Sequence, residues 1–420
     1  MPNSLKGLKL LVAATGSIAA VKTPLLVSEL VKSGAEVRCV ITPSASHLVS
    51  PLALSTLSRH KCYQDNDQWD PKESKPLHIA LSEWADIIIV APLSASSLAR
   101  WVNGLGDNLL ASILLATESP IIAAAAMNTG MWKNTAVTKN WDSLDQYPNI
   151  IKLSPSSGLL ACDRIGEGRM VNNEIIQLAI QSAAITSAQK SIIKKDLIGL
   201  KILVTAGATI EGLDPARQLS NKSSGRMGVF IAQAARFRGA SVDLIHGDLR
   251  IPSQFIEGLS TFHISNALDM QKVLSDLLPL SDLIIMAAAV SDLRKKSVSN
   301  SKKIKKDKLI EVFQKDLEIV PDLLTEINNR KSTHQLTIGF SALTGSDEEI
   351  KVSGEGKRID KGCDLLMANP IDRTNQGFGN NPNGGFLLGP HHMVIEMPVK
   401  SKFELANQLL DEILDFKSKK

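Results

Sequence analysis

Six short apolar runs organise this 420-residue chain, and they form two sets of three that repeat in the same order. The first pair is Gly7–Gly16 (GLKLLVAATG) and Gly199–Gly207 (GLKILVTAG), each an apolar run that ends in a glycine-bearing turn. The second pair is Gly34–Ile41 (GAEVRCVI) and Gly239–Ile245 (GASVDLI), each preceded by a helical stretch whose glycine sits where a helix C-cap belongs. The third pair is Ala85–Pro92 (ADIIIVAP) and Ser281–Ala289 (SDLIIMAAA). Near-continuous apolar strands alternating with helices are what a parallel sheet covered on both faces requires. The fold is therefore predicted as α/β, with two doubly wound, Rossmann-like parallel-sheet domains. Ligands of such sheets bind beyond the carboxyl ends of the strands, which points to the loops after Ala14, Ile41, Val90, Thr205 and Ile285. Ala183–Asp196 mixes small, polar and basic residues and reads as the linker, dividing the chain into domains 1–190 and 191–420. Asn375–Gly385 is rich in Gly and Asn and reads as a hairpin or loop, followed by an apolar strand and a terminal helix.

Charge and composition narrow the function classes. Lys and Arg total 47 against 43 acidic residues, a formal charge of +4 that gives no argument for a nucleic-acid or anionic-membrane partner. No apolar run approaches the ~18 residues of a membrane span. The N-terminal apolar stretch is short and punctuated by glycine, unlike a signal sequence. A cytoplasmic setting is expected. Cys39, Cys62, Cys162 and Cys363 form no C-x-x-C pair, which argues against a disulfide framework or a structural zinc site.

Candidate chemistry in the first half gathers at the strand ends. In Thr15–Ala20 (TGSIAA), Gly16 and Ser17 open a helix after the first strand, where backbone N–H groups and a hydroxyl hold a phosphate. The full G-x-G-x-x-G is missing, so a mononucleotide fits better than a dinucleotide. Thr42 after the second strand, and Pro92 and Ser94 within Ala91–Arg100 (APLSASSLAR), bring further hydroxyl-bearing loops to the same edge. With Asn103–Leu110 and Ala123–Trp132 (AAAAMNTGMW) this half resembles the homo-oligomeric flavin-containing cysteine decarboxylases, in which a flavodoxin-like domain binds FMN. The resemblance implies that His78, just before the third strand, is the catalytic base. It likewise implies that Asn128, beside Met127, Met131 and Trp132, binds the substrate carboxylate. Ala125 stands where the family has proline, a change expected to alter loop stiffness. Leu160–Met170 (LACDRIGEGRM) resembles the family's substrate-recognition flap, with Cys162 as the proton donor and Asp163 in place of a glycine. A cysteine carboxylate has no electron sink at its β-carbon. Oxidation of the thiol-bearing carbon to a thioaldehyde creates one, and reduction afterwards returns the hydride.

The second half carries the longest in-register resemblance. Thr205–Gly228 is too rich in Gly, Ser and polar residues to be core and precedes a helix, as a phosphate cradle does. It resembles phosphopantothenate–cysteine ligases at Asp214, Arg217, Asn221, Ser223, Ser224, Gly225, Met227 and Gly228. Ala287, Ala288, Ala289 and Asp292 match that family's A-A-V-x-D-x-R, and Lys303 its lysine segment. Pro321, Asp322, Phe340, Lys357 and Lys361 complete the match, the last two sharing one helix face by their i, i+4 spacing. The resemblance implies that Asn221 and Lys303 are catalytic and that Asn221 and Arg217 contact the acyl-nucleotide. Ala287, Ala288, Ala289, Asp292, Lys303, Pro321, Asp322, Phe340, Lys357 and Lys361 would hold the nucleotide, CTP in bacteria, with Mg2+ bridging its phosphates; ATP stays open. Leu343 replaces a glutamate of the family pattern, and no metal ligand is singled out.

Together the two resemblances cover residues 7 to 415 and imply a bifunctional enzyme of coenzyme A biosynthesis. Its substrates would be 4'-phosphopantothenate, cysteine and CTP, and its product 4'-phosphopantetheine. A homo-oligomer is implied, trimeric through flavin domains and dimeric through ligase domains, combined as a dodecamer. Two other readings compete: an NAD(P)-dependent oxidoreductase with tandem Rossmann-like domains, and a non-catalytic flavin-binding regulatory subunit. Fold alone favours the first. The missing dinucleotide fingerprint opposes it, and His78, Asn128 and Cys162 oppose the second.

Overall fold

Burial on both faces turns the apolar runs into central strands. In the computed structural model, which describes residues 5–70, 75–161, 163–186, 193–296 and 302–420, the chain divides into two compact units, 1–195 and 196–420. Among the described residues of the first unit, six strands form one sheet: β1 (Lys9–Ala14), β2 (Glu36–Ile41), β3 (Cys62–Tyr63), β4 (Ile87–Leu93), β5 (Ile121–Ala125) and β6 (Ile150–Leu153). β4 is buried along its whole length and β1 at all but its first residue. Every pairing is parallel, in the order β3-β2-β1-β4-β5-β6. The winding reverses between β1 and β4, which opens a crevice at their carboxyl ends. Leu11, Ile88, Trp101, Leu110 and Trp141 belong to the core under this sheet. A separate antiparallel hairpin, β7 (Ser156–Leu159) and β8 (Ile165–Arg169), follows β6.

The second unit repeats that winding. β9 (Lys201–Ala206) leads into the small antiparallel pair β10 (Ile210–Asp214) and β11 (Arg217–Ser220), then β12 (Ser241–His246), β13 (Ser260–His263) and β14 (Leu283–Met286). A second small pair, β15 (Leu293–Lys295) and β16 (Leu317–Ile319), precedes β17 (Leu336–Leu343), β18 (Leu365–Pro370), β19 (Asn383–Gly389) and β20 (Met393–Lys400). The main sheet runs β13-β12-β9-β14-β17-β18-β19-β20. Its first six strands are parallel and reproduce the order of the first unit, with the reversal between β9 and β14.

The second sheet is mostly parallel, and β19 and β20 close it as an antiparallel hairpin; β19 begins at Asn383, inside the stretch read as a hairpin or loop. Gly385 makes this possible: it has φ +141, and a Cβ there would stand 2.1 Å from the Ala368 carbonyl oxygen on β18. The linker is also shorter than its composition suggests. Ala183–Thr186 complete the helix Asn173–Thr186, and Ile175, Ala179 and Ala183 form one buried stripe at helical spacing; residues 187–192 lie outside the described residues. Cys39 and Cys62 face each other across β2 and β3, and burial pushes both thiols up to about 12. Burial likewise pushes Cys363 up to about 11, so these three are inert core residues.

The entry into the second unit is held by one buried cation. Arg238 has no exposed side-chain surface; it pairs with Asp196 at 2.6 Å and Asp411 at 2.8 Å and donates to the Asn407 carbonyl at 3.0 Å. This fastens the first residue of the unit to the C-terminal helix Lys402–Lys419. Removing the cation leaves two crowded carboxylates. Arg238→Met is expected to lower unfolding stability by about 3 kcal/mol, read as an earlier urea transition; an unchanged midpoint would contradict the clamp.

Candidate functional site

One buried threonine stitches together the strand ends at the crevice of the first unit. Thr15 donates through Oγ1 to the Pro92 carbonyl (2.7 Å) and accepts from the Ser94 N–H (2.8 Å), which joins the ends of β1 and β4. Gly16 brings the loop after β2 into contact, since a Cβ there would lie 2.6 Å from Ser44 Cβ. Ser17, Thr42 and Ser94 each cap a helical turn, accepting from Ala19 N–H (3.5 Å), Ala45 N–H (3.4 Å) and Ser97 N–H (3.3 Å). The turn after Ser17 is 3₁₀, Ile18–Lys22, before the α-helix Thr23–Lys32 begins. A capping hydroxyl that accepts keeps its own proton to donate. Thr42 and Ser94 direct theirs only to distant partners, the Ala14 carbonyl (3.4 Å) and the Ser97 hydroxyl (3.3 Å), bonds long enough to be exchanged for a phosphate oxygen. Gly16, Ser17, Thr42, Pro92 and Ser94 thus share one edge.

Along the same edge, β5 ends at Ala125, so the departure expected to alter a loop falls instead on the last rung of a strand, opposite Leu93. Met127 is buried, and its N–H bonds the Gly168 carbonyl of β8 at 3.0 Å. Asn128 is exposed, and its Oδ1 caps the turn Thr129–Trp132 through the Gly130 N–H at 2.8 Å. The β7–β8 hairpin lies directly on this segment. A Cβ on Gly168 would stand 2.3 Å from the Met127 carbonyl oxygen, and one on Gly166 2.5 Å from the Thr129 hydroxyl. At the hairpin tip Asp163 has φ +58, the left-handed conformation in which glycine is unstrained and Asp is among the tolerated residues. Position 163, where the family pattern has glycine, is therefore one that needs backbone freedom. Cys162 lies outside the described residues. His78 is half-buried in the first turn of the helix Leu77–Trp84; that helix leads back into β4, so its first turn lies at the carboxyl edge of the sheet.

The second unit uses the same device. Buried Thr205 on β9 accepts the Ala288 N–H beyond β14 (3.0 Å), and buried Thr209 accepts the Ser291 N–H (2.9 Å). A cleft of about 900 Å³ opens there. Asn221, Ala287, Ala288, Ala289, Asp292, Pro321, Asp322, Phe340, Lys357 and Lys361 all line it. One wall is Ser223-Ser224-Gly225 at the start of the helix Arg226–Phe237, where Gly225 has φ +76 and no side chain caps the first N–H groups. Asn221 Nδ2 bonds the Val290 carbonyl at 3.0 Å. Opposite, Lys357 Nζ donates to Ser341 Oγ (3.2 Å), and Lys361 pairs with Asp322 (2.7 Å). Burial raises the Asp322 carboxyl, but the Lys361 bond and the Thr325 N–H outweigh it and hold the acid below its ordinary range.

Arg217 and Lys303 are not among the cleft-lining residues. Arg217 donates to Asp214 Oδ2 and to the Ile304 carbonyl, each at 3.2 Å, and the Ile304 N–H bonds the same carboxylate at 3.1 Å. Asp214 thereby ties the β10–β11 pair to the lysine segment. Burial raises its carboxyl, and the Ala216 and Ile304 N–H groups with the Arg217 guanidinium more than offset this, holding it low. Leu343 is packed in the core with Ile350, Ala368 and Phe386, so its position offers no oxygen to a cation. Among the cleft residues that the sequence reading did not assign are Arg226, Asn383 and Lys402. For Lys402 a signal existed, because a lysine in the first turn of a helix opposes the macrodipole.

A family model described as "Flavoprotein" matches residues 1–184, and one described as "DNA/pantothenate metabolism flavoprotein C-terminal domain" matches residues 197–416. The coenzyme A biosynthesis bifunctional protein CoaBC of Bacillus subtilis is 36% identical over 409 residues, covering 96% of each chain. Its counterpart in Escherichia coli is 34% identical over 419 residues, covering 98% of each chain. The chain belongs to this family of coenzyme A biosynthesis bifunctional proteins. It is accordingly a bifunctional enzyme, and the decarboxylase and ligase activities expected from the two halves go with that membership.

In this family member, Thr15 and Gly168 are points where geometry leaves no slack. Thr15→Val removes the acceptor of the Ser94 N–H and is expected to cost about 1–3 kcal/mol of stability, with faster exchange of the Ser94 amide; unchanged exchange would contradict the stitch. Gly168→Ala is expected to lift the hairpin off Met127 at a cost of about 1–3 kcal/mol, seen as faster exchange of the Met127 amide while the second unit stays as protected as before.

Proposed function

We propose that the second unit joins 4'-phosphopantothenate to cysteine at the expense of CTP, and that the first unit decarboxylates the product with FMN to give 4'-phosphopantetheine. The observation that carries the reading is the cleft: ten of the twelve residues that the sequence assigns to the ligase line one cavity at the strand-order reversal. The substrate carboxylate attacks the α-phosphorus of CTP, the bond to pyrophosphate breaks, and an acyl-cytidylate forms. The cysteine amine then attacks the acyl carbon, and CMP leaves. Lys357 and Lys361, one turn apart, neutralise charge on the leaving pyrophosphate, with Lys361 exchanging Asp322 for phosphate. Asn221 holds the acyl-nucleotide, and Arg217 and Lys303 act from the segments that Asp214 ties together. Mg2+ would accompany CTP and supply further charge neutralisation at its phosphates.

The chain's own groups at the first crevice suit a flavin mononucleotide. Gly16, Ser17, Thr42 and Ser94 would supply hydroxyls and turn N–H groups to its phosphate at the strand edge. When bound, FMN supplies a two-electron acceptor that later returns the electrons, as a decarboxylation without net redox change requires. His78 takes the thiol proton, Asn128 binds the carboxylate that departs as CO2, and Cys162 protonates the enethiol. Ile18, Val21, Leu25 and Leu52 of the first unit are exposed and apolar, as a subunit interface near the crevice needs, so a homo-oligomer is part of the proposal. No helix among the described residues is long and apolar enough to cross a membrane; a cytoplasmic setting is part of the proposal.

The test is direct. Purified protein is expected to absorb near about 450 nm and, given 4'-phosphopantothenate, cysteine and CTP, to form 4'-phosphopantetheine, CO2, CMP and pyrophosphate; ATP in place of CTP reports the nucleotide preference. Colourless protein that forms none of these overturns the reading. Asn221→Asp is expected to release pyrophosphate yet complete the amide at least about 100-fold more slowly.

A further inference from the structure

Lys402 is a misfit where it stands. It opens the C-terminal helix behind the Ser401–Glu404 capping box, where the helix dipole opposes a cation. Its side chain is only 6% exposed, and among the described residues no carboxylate pairs with it. Nζ instead donates to the Gly377 and Gly379 carbonyls, each at 2.7 Å. A buried ammonium bound only by carbonyls is costly, so a chain that keeps one there draws some other benefit from it.

The two carbonyls flank Phe378 in the loop between β18 and β19, and Gly377, Phe378, Gly379 and Lys402 all line the ligase cleft. Both glycines hold positive φ, +105 and +70, and the Gly377 N–H closes the loop on the Pro382 carbonyl at 3.1 Å. Lys402 is thus the bolt across a narrow loop with one aromatic at its tip. The loop follows β18, whose neighbour β17 carries Phe340, and Asn369 at the end of β18 braces it through the Gly384 carbonyl at 2.9 Å. This is the side of the cleft to which the nucleotide residues Phe340, Lys357 and Lys361 belong.

We propose that Lys402 is a positioning residue of the ligase, fixing the Gly377–Gly379 loop as the nucleotide-side wall of the cleft. The proposal rests on the ligase reading above. The charged groups around Lys402 leave its cation uncompensated. The helix Arg226–Phe237 turns Arg226 towards it, while Arg236 on that helix bonds Gln233 and lies by Glu257. β20 brings Lys400, which bonds Gln408; β19 brings only the neutral Asn383; on its own helix, Glu404 is spent on the Ser401 N–H. The loop is preceded by Asp372 and Arg373, which bond the Gly345 N–H and Asp347. Burial, then the charge of Arg226, depress the ammonium to about 8. Above that pH the two bonds to the loop lose their charge assistance.

The experiment uses the full-length holoenzyme and both half-reactions. Lys402→Met is expected to raise KM for the nucleotide about 10-fold or more with kcat changed less than about 3-fold. Lys402→Arg should recover most of the affinity, and decarboxylation of supplied phosphopantothenoylcysteine should be unchanged in both variants. In the unmodified enzyme KM for the nucleotide should climb as the pH passes about 8, while KM for 4'-phosphopantothenate stays level. An unchanged nucleotide KM in Lys402→Met, or no recovery with Lys402→Arg, overturns the proposal. So does a level nucleotide KM between about pH 7 and about pH 9.5 in the unmodified enzyme, a result that needs no variant to fold. Absence of ligase turnover by the unmodified enzyme would sink the ligase reading itself, which the other outcomes leave standing.

Discussion

A buried threonine hydroxyl between the first and fourth strands of each sheet is the contact on which both sites depend. In a doubly wound sheet the chain leaves the first strand in one direction and reaches the fourth from the other, so no covalent connection holds their carboxyl ends together. Thr15 in one unit and Thr205 in the other supply that connection through a single oxygen. Each is fully buried, and each satisfies a backbone N–H that would otherwise be stranded beside the crevice. The ligand-binding loops are therefore splayed by the winding and gathered again by the hydroxyl.

From this shared frame the two units close their crevices differently. The first lays a two-stranded hairpin over the end of β5, with glycines at 166 and 168 because backbone meets backbone there. The second builds a walled cleft from the uncapped helix start at Gly225, the lysines of the helix Asp347–Lys361, and the loop between β18 and β19. Under the proposed function the contrast follows the ligands. A flavin phosphate would need a few oriented N–H and O–H groups. A triphosphate that sheds pyrophosphate would need several cations, and Lys357, Lys361 and Arg226 line that cleft.

The C-terminal helix shows how one element serves two purposes. Asn407 and Asp411 hold Arg238 and through it Asp196, the first residue of the second unit. Lys402, at the start of the same helix, reaches the cleft. Its hydrophobic side, Phe403, Leu405, Ala406 and Leu409, is buried in the unit, so the charged groups at both places are carried on a rigid rod.

Apolar periodicity by itself determined the two α/β halves and the repeat between them, because a parallel strand covered on both faces must be largely apolar, and Leu10–Ala14 and Ile202–Val204 are so. Local motifs likewise determined most of the ligase lining, since loops after strands carry their chemistry in contiguous residues such as Ala287–Asp292. Tertiary structure alone decided the antiparallel end of the second sheet, where Gly385 must slip past Ala368. It also decided that Ala125 ends a strand and that Leu343 belongs to the core. The contacts made by Lys402 and the two threonines were hidden for one physical reason, although the place of Lys402 in the first turn of a helix was a signal. Their partners lie 23 to 83 residues away, and a hydrogen bond between distant segments leaves no periodicity in the sequence.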